Sequence, residues 1–69
     1  MKEVAELAAA IIRKNLTLSE AASHVGCPPE ELFGWILGAT EPSPSFRKIL
    51  PAVVIDIGLL YPDVVERKN

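Results

Sequence analysis

The stretch "LTLSEAASHVGCPPEELFGWILGATEPS", residues 16–43, has small and apolar residues at spacings that predict two helices packed across a short turn. Counting from Ala22, Gly26 is four positions on, Leu32 ten and Trp35 thirteen. Ala22 is small enough for the second helix to cross over it, and Gly26 permits the positive φ of a tight turn. Leu32 and Trp35 are three residues apart and therefore share one helical face. We predict a buried cluster of Ala22, Val25, Leu32 and Trp35.

Helices are predicted on both sides of this stretch. Residues 2–14 have apolar positions at helical spacing, and Asn15 can adopt the left-handed conformation that ends a helix. Thr17 and Glu20 have the spacing of a capping box. Gly26 and Gly38 are predicted to end the two central helices.

The segment after residue 43 is less uniform. Ser45 is expected to cap a helix that contains Pro51, which predicts a kink or two short helices. The β-branched residues at 53–57 leave a strand open, but helix is favoured because no other segment could pair with a strand. A short last helix is expected within residues 61–68. The predicted fold is an all-α bundle of about five short helices in a single domain, residues 1–69, with a helix-turn-helix at about 18–37.

The motif residues continue beyond the turn: Leu16-Thr17, Ala22-x-x-x-Gly26, Leu32 and Trp35-x-x-Gly38-x-x-x-Pro42-Ser43. With these motifs, residues 16–43 resemble the lambda Cro/repressor-like (XRE-type) helix-turn-helix family, and the flanks match it loosely. The alternative is a helical bundle in which the glycine spacing is a coincidence. The resemblance implies a small phage- or prophage-like regulator of transcription. It also implies a dimer on duplex DNA, with the second motif helix in the major groove.

The helix that the resemblance places in the groove lacks basic residues. Its implied base-reading positions are Pro28, Pro29, Glu30, Phe33, Gly34 and Leu37, and of these only Glu30 could read a base, mainly cytosine. Leu18 stands where the family usually has a phosphate-binding glutamine. The candidate phosphate contacts lie elsewhere, at Arg13, Lys14, Arg47 and Lys48, unless these four are ordinary surface charges.

The apolar residues of the same helix indicate a different function for the fold. Phe33 and Leu37 are four residues apart, so they share a face that Leu32 and Trp35 do not occupy. Either a later helix covers this face, or it binds a partner. The second function hypothesis is therefore a protein-interaction domain that has lost direct DNA binding and modulates another regulator. Self-association is a further expectation, because residues 49–65 are rich in apolar side chains, notably Ile55, Leu59, Leu60 and Val64.

Composition and residue types limit the function classes that remain for this chain. The formal net charge of −2 argues mildly against nucleic-acid binding, and 49% apolar content in 69 residues favours a partner. The single Cys27 allows no intrachain disulfide and suits the reducing cytoplasm. His24 and Cys27 supply two ligands where a structural zinc site needs four, so no metal is expected. The four glycines are single and far apart and form no phosphate-binding loop, and we expect no cofactor, catalytic residue or small-molecule substrate. We expect neither an enzyme nor a membrane span, since the longest apolar block, residues 52–60, is short and contains Asp56.

Overall fold

The computed structural model describes residues 1–64, which form four α-helices: α1 (Lys2–Arg13), α2 (Leu18–Val25), α3 (Pro29–Leu37) and α4 (Pro44–Leu60). No strand occurs among these residues, and the β-branched run is part of α4. Tertiary packing explains why helix prevails over β-propensity there. Val53 and Ile57 are four residues apart and are both buried against the other helices. The all-α prediction is confirmed.

The local signals for helix ends are confirmed. Asn15 has a φ of 55°, and Gly26 and Gly38 have φ of 90° and 80° where α2 and α3 end. The capping box at the start of α2 is complete, because the Glu20 amide donates to Thr17 Oγ1 at 3.0 Å. In return, the Thr17 amide donates to Glu20 Oε1 at 2.8 Å. These contacts fix the direction in which the chain enters α2.

Two expectations for the last part of the chain are wrong. The N-cap of α4 is Ser43 rather than Ser45, because Pro44 occupies the first helical position, where its missing N–H costs nothing. In addition, of the two outcomes predicted at Pro51, a kink or two short helices, the second is wrong, because α4 continues through Pro51 as one helix. Pro51 is exposed and leaves only the carbonyl of Arg47 without its helical donor, so solvent can satisfy that carbonyl.

The expected fifth helix is not seen in the described part of the chain. Residues 61–64 are not helical, and the rest of that prediction, residues 65–69, lies outside the described residues. Pro62 and the hydrogen bond from the Tyr61 amide to the Ile57 carbonyl mark the end of α4 instead.

The core lies between α1, α2 and α4, with α3 packed on α2 and α1. The predicted cluster at the crossing of α2 and α3 is buried, and Leu7, Leu50 and Ile57 from α1 and α4 complete the same core. The Trp35 ring packs at a tilt on Phe46 of α4, with centroids 5.4 Å apart. The inner side of α3 is thereby joined to α4. Among residues 1–64, the buried side chains of the core are Val4, Leu7, Ala10, Ala21, Ala22, Val25, Cys27, Leu32, Trp35, Leu50, Val53 and Ile57, and Pro42 in the loop before α4 is buried as well.

Candidate interaction site

The turn between α2 and α3 holds α3 across the end of α2. The Gly26 and Cys27 amides both donate to the Ala22 carbonyl, at 2.7 and 3.2 Å, so the chain reverses within Gly26, Cys27 and Pro28. Glu30 and Glu31 then lie in the first turn of α3, where negative charge is favourable next to the free amides. The two glutamates therefore stabilise the start of α3 and also make its N-terminal end acidic.

The outward side of α3 is apolar and acidic. We call Glu30, Phe33, Gly34 and Leu37 the α3 outer surface. Phe33 is 49% exposed and Leu37 64% exposed, while Leu32 and Trp35 face the core. Both side chains are thus exposed in the structure of residues 1–64, as the predicted outward orientation requires. Pro29, also predicted as a contact, is partly buried.

Thr40, which the sequence did not single out, closes part of this surface. The loop after α3 turns back, and the Ala39 and Thr40 amides donate to the Gly34 carbonyl at 2.9 and 3.3 Å. A Cβ built on Gly34 would lie 2.9 Å from Thr40 Oγ1. Gly34 is therefore an approach point for the chain's own loop, and Phe33 and Leu37 form the accessible part of the surface.

The predicted phosphate contacts at the end of α1 are paired within the chain. Lys14 Nζ lies 2.6 Å from Asp63 Oδ1, and the Lys14 side chain is only 8% exposed. Arg13 Nε lies 3.5 Å from the same oxygen. The hydrogen bond from Lys14, together with the charges of Lys14 and Arg13, lowers the pKa of Asp63 below its ordinary value. Asp63 thus balances one of the two positive charges that the sequence offered to DNA and draws both side chains towards the chain's own carboxylate.

Residues 61–64, which we call the C-terminal segment, hold Asp63 in this position. The Val64 amide donates to the Arg13 carbonyl at 3.0 Å. Tyr61 Oη lies 2.7 Å from His24 Nε2, and the two rings meet edge to face. His24 is partly buried and connects α2 to the C-terminal segment.

Arg47 and Lys48 occupy a different part of the molecule. Both are exposed and border an open groove of about 600 Å³ between α1 and α4, which also includes Glu3 and no residue of α3. Glu3 is at the opposite end of α1 from Arg13, and ten residues of helix separate them by about 15 Å. The four predicted phosphate contacts therefore form two separate pairs. Arg47 and Lys48 share a groove with Glu3, whereas Arg13 and Lys14 are ion-paired with Asp63.

The apolar residues predicted for self-association are exposed. Ile55 and Leu59 are 62% and 81% exposed, and Leu60 and Val64 are exposed as well. They lie on the last half of α4 and in the C-terminal segment. Those on α4 are on a different side of the helix from the buried Val53 and Ile57.

Cys27 has the chemistry of a packing residue. It is buried, and burial raises the pKa of its thiol, with a further increase from the nearby Glu31 charge; a backbone hydrogen bond at Leu32 acts in the opposite direction. A raised thiol pKa disfavours the reactive thiolate. Among residues 1–64, no three His, Cys, Asp or Glu side chains are grouped so that they could hold a metal ion.

Comparison of the chain with models of protein families, with curated proteins and with solved structures found no match. In the described part of the chain, no helix combines the length and apolar character needed to cross a bilayer.

Proposed function

We propose that this chain is a small helix-turn-helix regulator that acts by binding another protein through the α3 outer surface. The observation that carries the proposal is the combination of exposed Phe33 and Leu37 with Glu30 on a helix that has no basic residue. A half-exposed aromatic beside an exposed leucine makes an apolar surface of the kind that marks interaction sites, and aromatic side chains are enriched at the cores of protein interfaces.

The helix-turn-helix part of the proposal is supported by α2, the turn at Gly26 and α3, together with the sequence resemblance at residues 16–43. The crossing residues Ala22 and Leu32 are buried, as that motif requires. A fold of this kind does not fix its own function, so the chemistry of the exposed surface is the better guide.

The charge around Phe33 and Leu37 narrows the chemistry of the partner. Glu30 and Glu31 precede them and Glu41 follows in the next loop, all three exposed. An apolar centre with an acidic rim is complementary to a helix or strand that has apolar anchors between lysines or arginines. The proposed partner is therefore a protein with a basic, amphipathic segment.

Direct DNA binding by a dimer is the second candidate function. It is favoured by the exposed Arg47 and Lys48, which lie together on the first turns of α4. Their charges would attract phosphate. Against it stand the Lys14–Asp63 ion pair and the acidic start of α3, which would repel the DNA backbone.

A salt series of binding to random-sequence duplex DNA separates these functions. Each neutralised phosphate contributes about −0.9 to the slope of log K against log salt. Under the protein-binding proposal we expect little DNA binding and a slope near zero. Strong binding with a steep slope that Arg47→Glu reduces, and that Phe33→Ala leaves unchanged, would replace the proposal with the DNA-binding function.

A labelled amphipathic peptide of leucines and lysines serves as a positive probe of the α3 outer surface. Phe33→Ala and Leu37→Ala should each weaken its binding by about tenfold or more, because a lost interface anchor costs about 2 kcal/mol. Ile12→Ala is the matched control, since Ile12 is as exposed but lies on α1. Equal effects of the Phe33 and Ile12 variants would show that the α3 surface has no special role.

A further inference from the structure

The charges on the exposed side of α4 are complementary to those of the same helix running in the opposite direction. Residues four apart follow one row along a helix, and one such row on α4 consists of Pro44, Lys48, Ala52, Asp56 and Leu60. All five are exposed. Ala52 is the central position of the row, with Lys48 one turn before it and Asp56 one turn after it.

We infer that a second copy of this chain packs on this row, with the two α4 helices antiparallel and Ala52 at their crossing. A two-fold axis at Ala52 places Lys48 opposite the partner's Asp56, and Asp56 opposite the partner's Lys48. The same axis places Leu60 opposite the partner's Pro44. One surface thus supplies both halves of an isologous interface, as two-fold symmetry requires.

Charge and size select this arrangement over others. Lys48 and Asp56 have no ion-pair partner among residues 1–64, so both charges are available. A parallel pairing would place Lys48 opposite a second Lys48, and like charges in contact are unfavourable. Ala52 has a small side chain, which allows the helix axes to approach to the lower end of the usual 8–10 Å.

Apolar side chains beside the row supply the burial. Pro51, Ile55 and Leu59 form the neighbouring row on one side, and Ile49 lies on the other; all are exposed. A helix of this length spans about 25 Å, so the interface falls near the lower end of specific interfaces, about 1,200 Å² in total. The expected dimer is therefore weak and concentration-dependent. No residue of α3 takes part, so the inference is independent of the proposed function.

Sedimentation velocity over a range of protein concentrations tests this interface by charge exchange. Lys48→Asp and Asp56→Lys should each place like charges opposite one another twice per dimer and raise the dissociation constant by about tenfold or more. The double variant K48D/D56K recreates the pairs in reverse and should dimerise like the original chain. Glu6→Lys, a reversal at an exposed position of α1, is the control and should leave dimerisation unchanged.

Ala52→Arg provides a second test that does not depend on the ion pairs. A long side chain at the crossing should give a monomer with an unaltered helical circular dichroism spectrum, because Ala52 is exposed in the single chain. The inference is overturned by a monomer at every concentration. Equally, it is overturned by a dimer indifferent to the single reversals, or by a double variant that stays monomeric.

Discussion

The outer surface of α3 and the end of α1 were both predicted to contact a partner, yet only one of them is open. Phe33 and Leu37 are 49% and 64% exposed, whereas Arg13 and Lys14 are paired with Asp63 of the C-terminal segment. The first surface keeps its apolar side chains in water, which is unfavourable unless something binds them. At the second surface, the positive charges of Arg13 and Lys14 already interact with a carboxylate of the same chain. The comparison shows that an apolar surface left open is better evidence of binding than a cationic pair in the sequence.

The largest expected effect concerns the two sides of α3. Trp35→Ala should destabilise the domain by about 3–5 kcal/mol, since it removes a buried aromatic that packs on Phe46. That is comparable with the total stability of a small domain, so the variant should be largely unfolded. Circular dichroism melts would measure this.

Phe33→Ala is the matched variant on the opposite side of the same helix. Its effect on the free energy of unfolding should be about 1 kcal/mol, well below that of Trp35→Ala, because Phe33 buries only half of its side chain. Similar melting temperatures for the Trp35 and Phe33 variants would remove the distinction between an inner and an outer side of α3.

A smaller effect is expected where the loop meets α3. Gly34→Ala improves helix propensity by about 1 kcal/mol, but its Cβ would meet Thr40 Oγ1 at 2.9 Å. We expect these contributions to cancel in the original chain. In a Thr40→Ala background the contact is absent, so Gly34→Ala should then stabilise the domain by most of the propensity gain.

Urea unfolding of the four chains in this double-mutant cycle measures the coupling between positions 34 and 40. A coupling energy near zero would mean that Thr40 does not close this part of the α3 outer surface. Gly34 would then be open to a partner together with Phe33 and Leu37.

The sequence was sufficient where the structural cause is local. The crossing of α2 and α3 depends on the spacing of Ala22, Gly26, Leu32 and Trp35, and the start of α2 on Thr17 and Glu20. Helical spacing also predicted correctly that Phe33 and Leu37 point outward. Each of these inferences needs only the geometry of one or two adjacent helices.

The sequence was insufficient where residues far apart in the chain meet. Nothing near Lys14 indicates that Asp63 returns to it, or that Tyr61 hydrogen-bonds His24. The sequence did not decide between a kinked helix and two helices at Pro51 for a similar reason, because buried neighbours such as Leu50 and Val53 hold the helix against the propensity of proline. A partner for an exposed surface would lie outside the chain, so local spacing does not encode its identity.

The smallest expected effect concerns the closed surface, at Asp63. Its pKa is lowered in the folded chain, first by the hydrogen bond from Lys14. A carboxylate of this kind stabilises the docked C-terminal segment at any pH above its unfolded pKa of about 3.9, and that contribution is lost as the pH falls through the lower folded value.

The Val64 amide proton, which hydrogen-bonds the Arg13 carbonyl, should therefore shift in NMR spectra on acidification. Asp63→Asn should show the shifted resonance already at neutral pH and no acid transition, while Glu6→Gln, at an exposed position of α1, should behave like the original chain. If the Val64 resonance in Asp63→Asn coincided with the original at neutral pH, Asp63 would not hold the segment on α1. Lys14 and Arg13 would then be available to a partner, and the contrast with the α3 outer surface would fail.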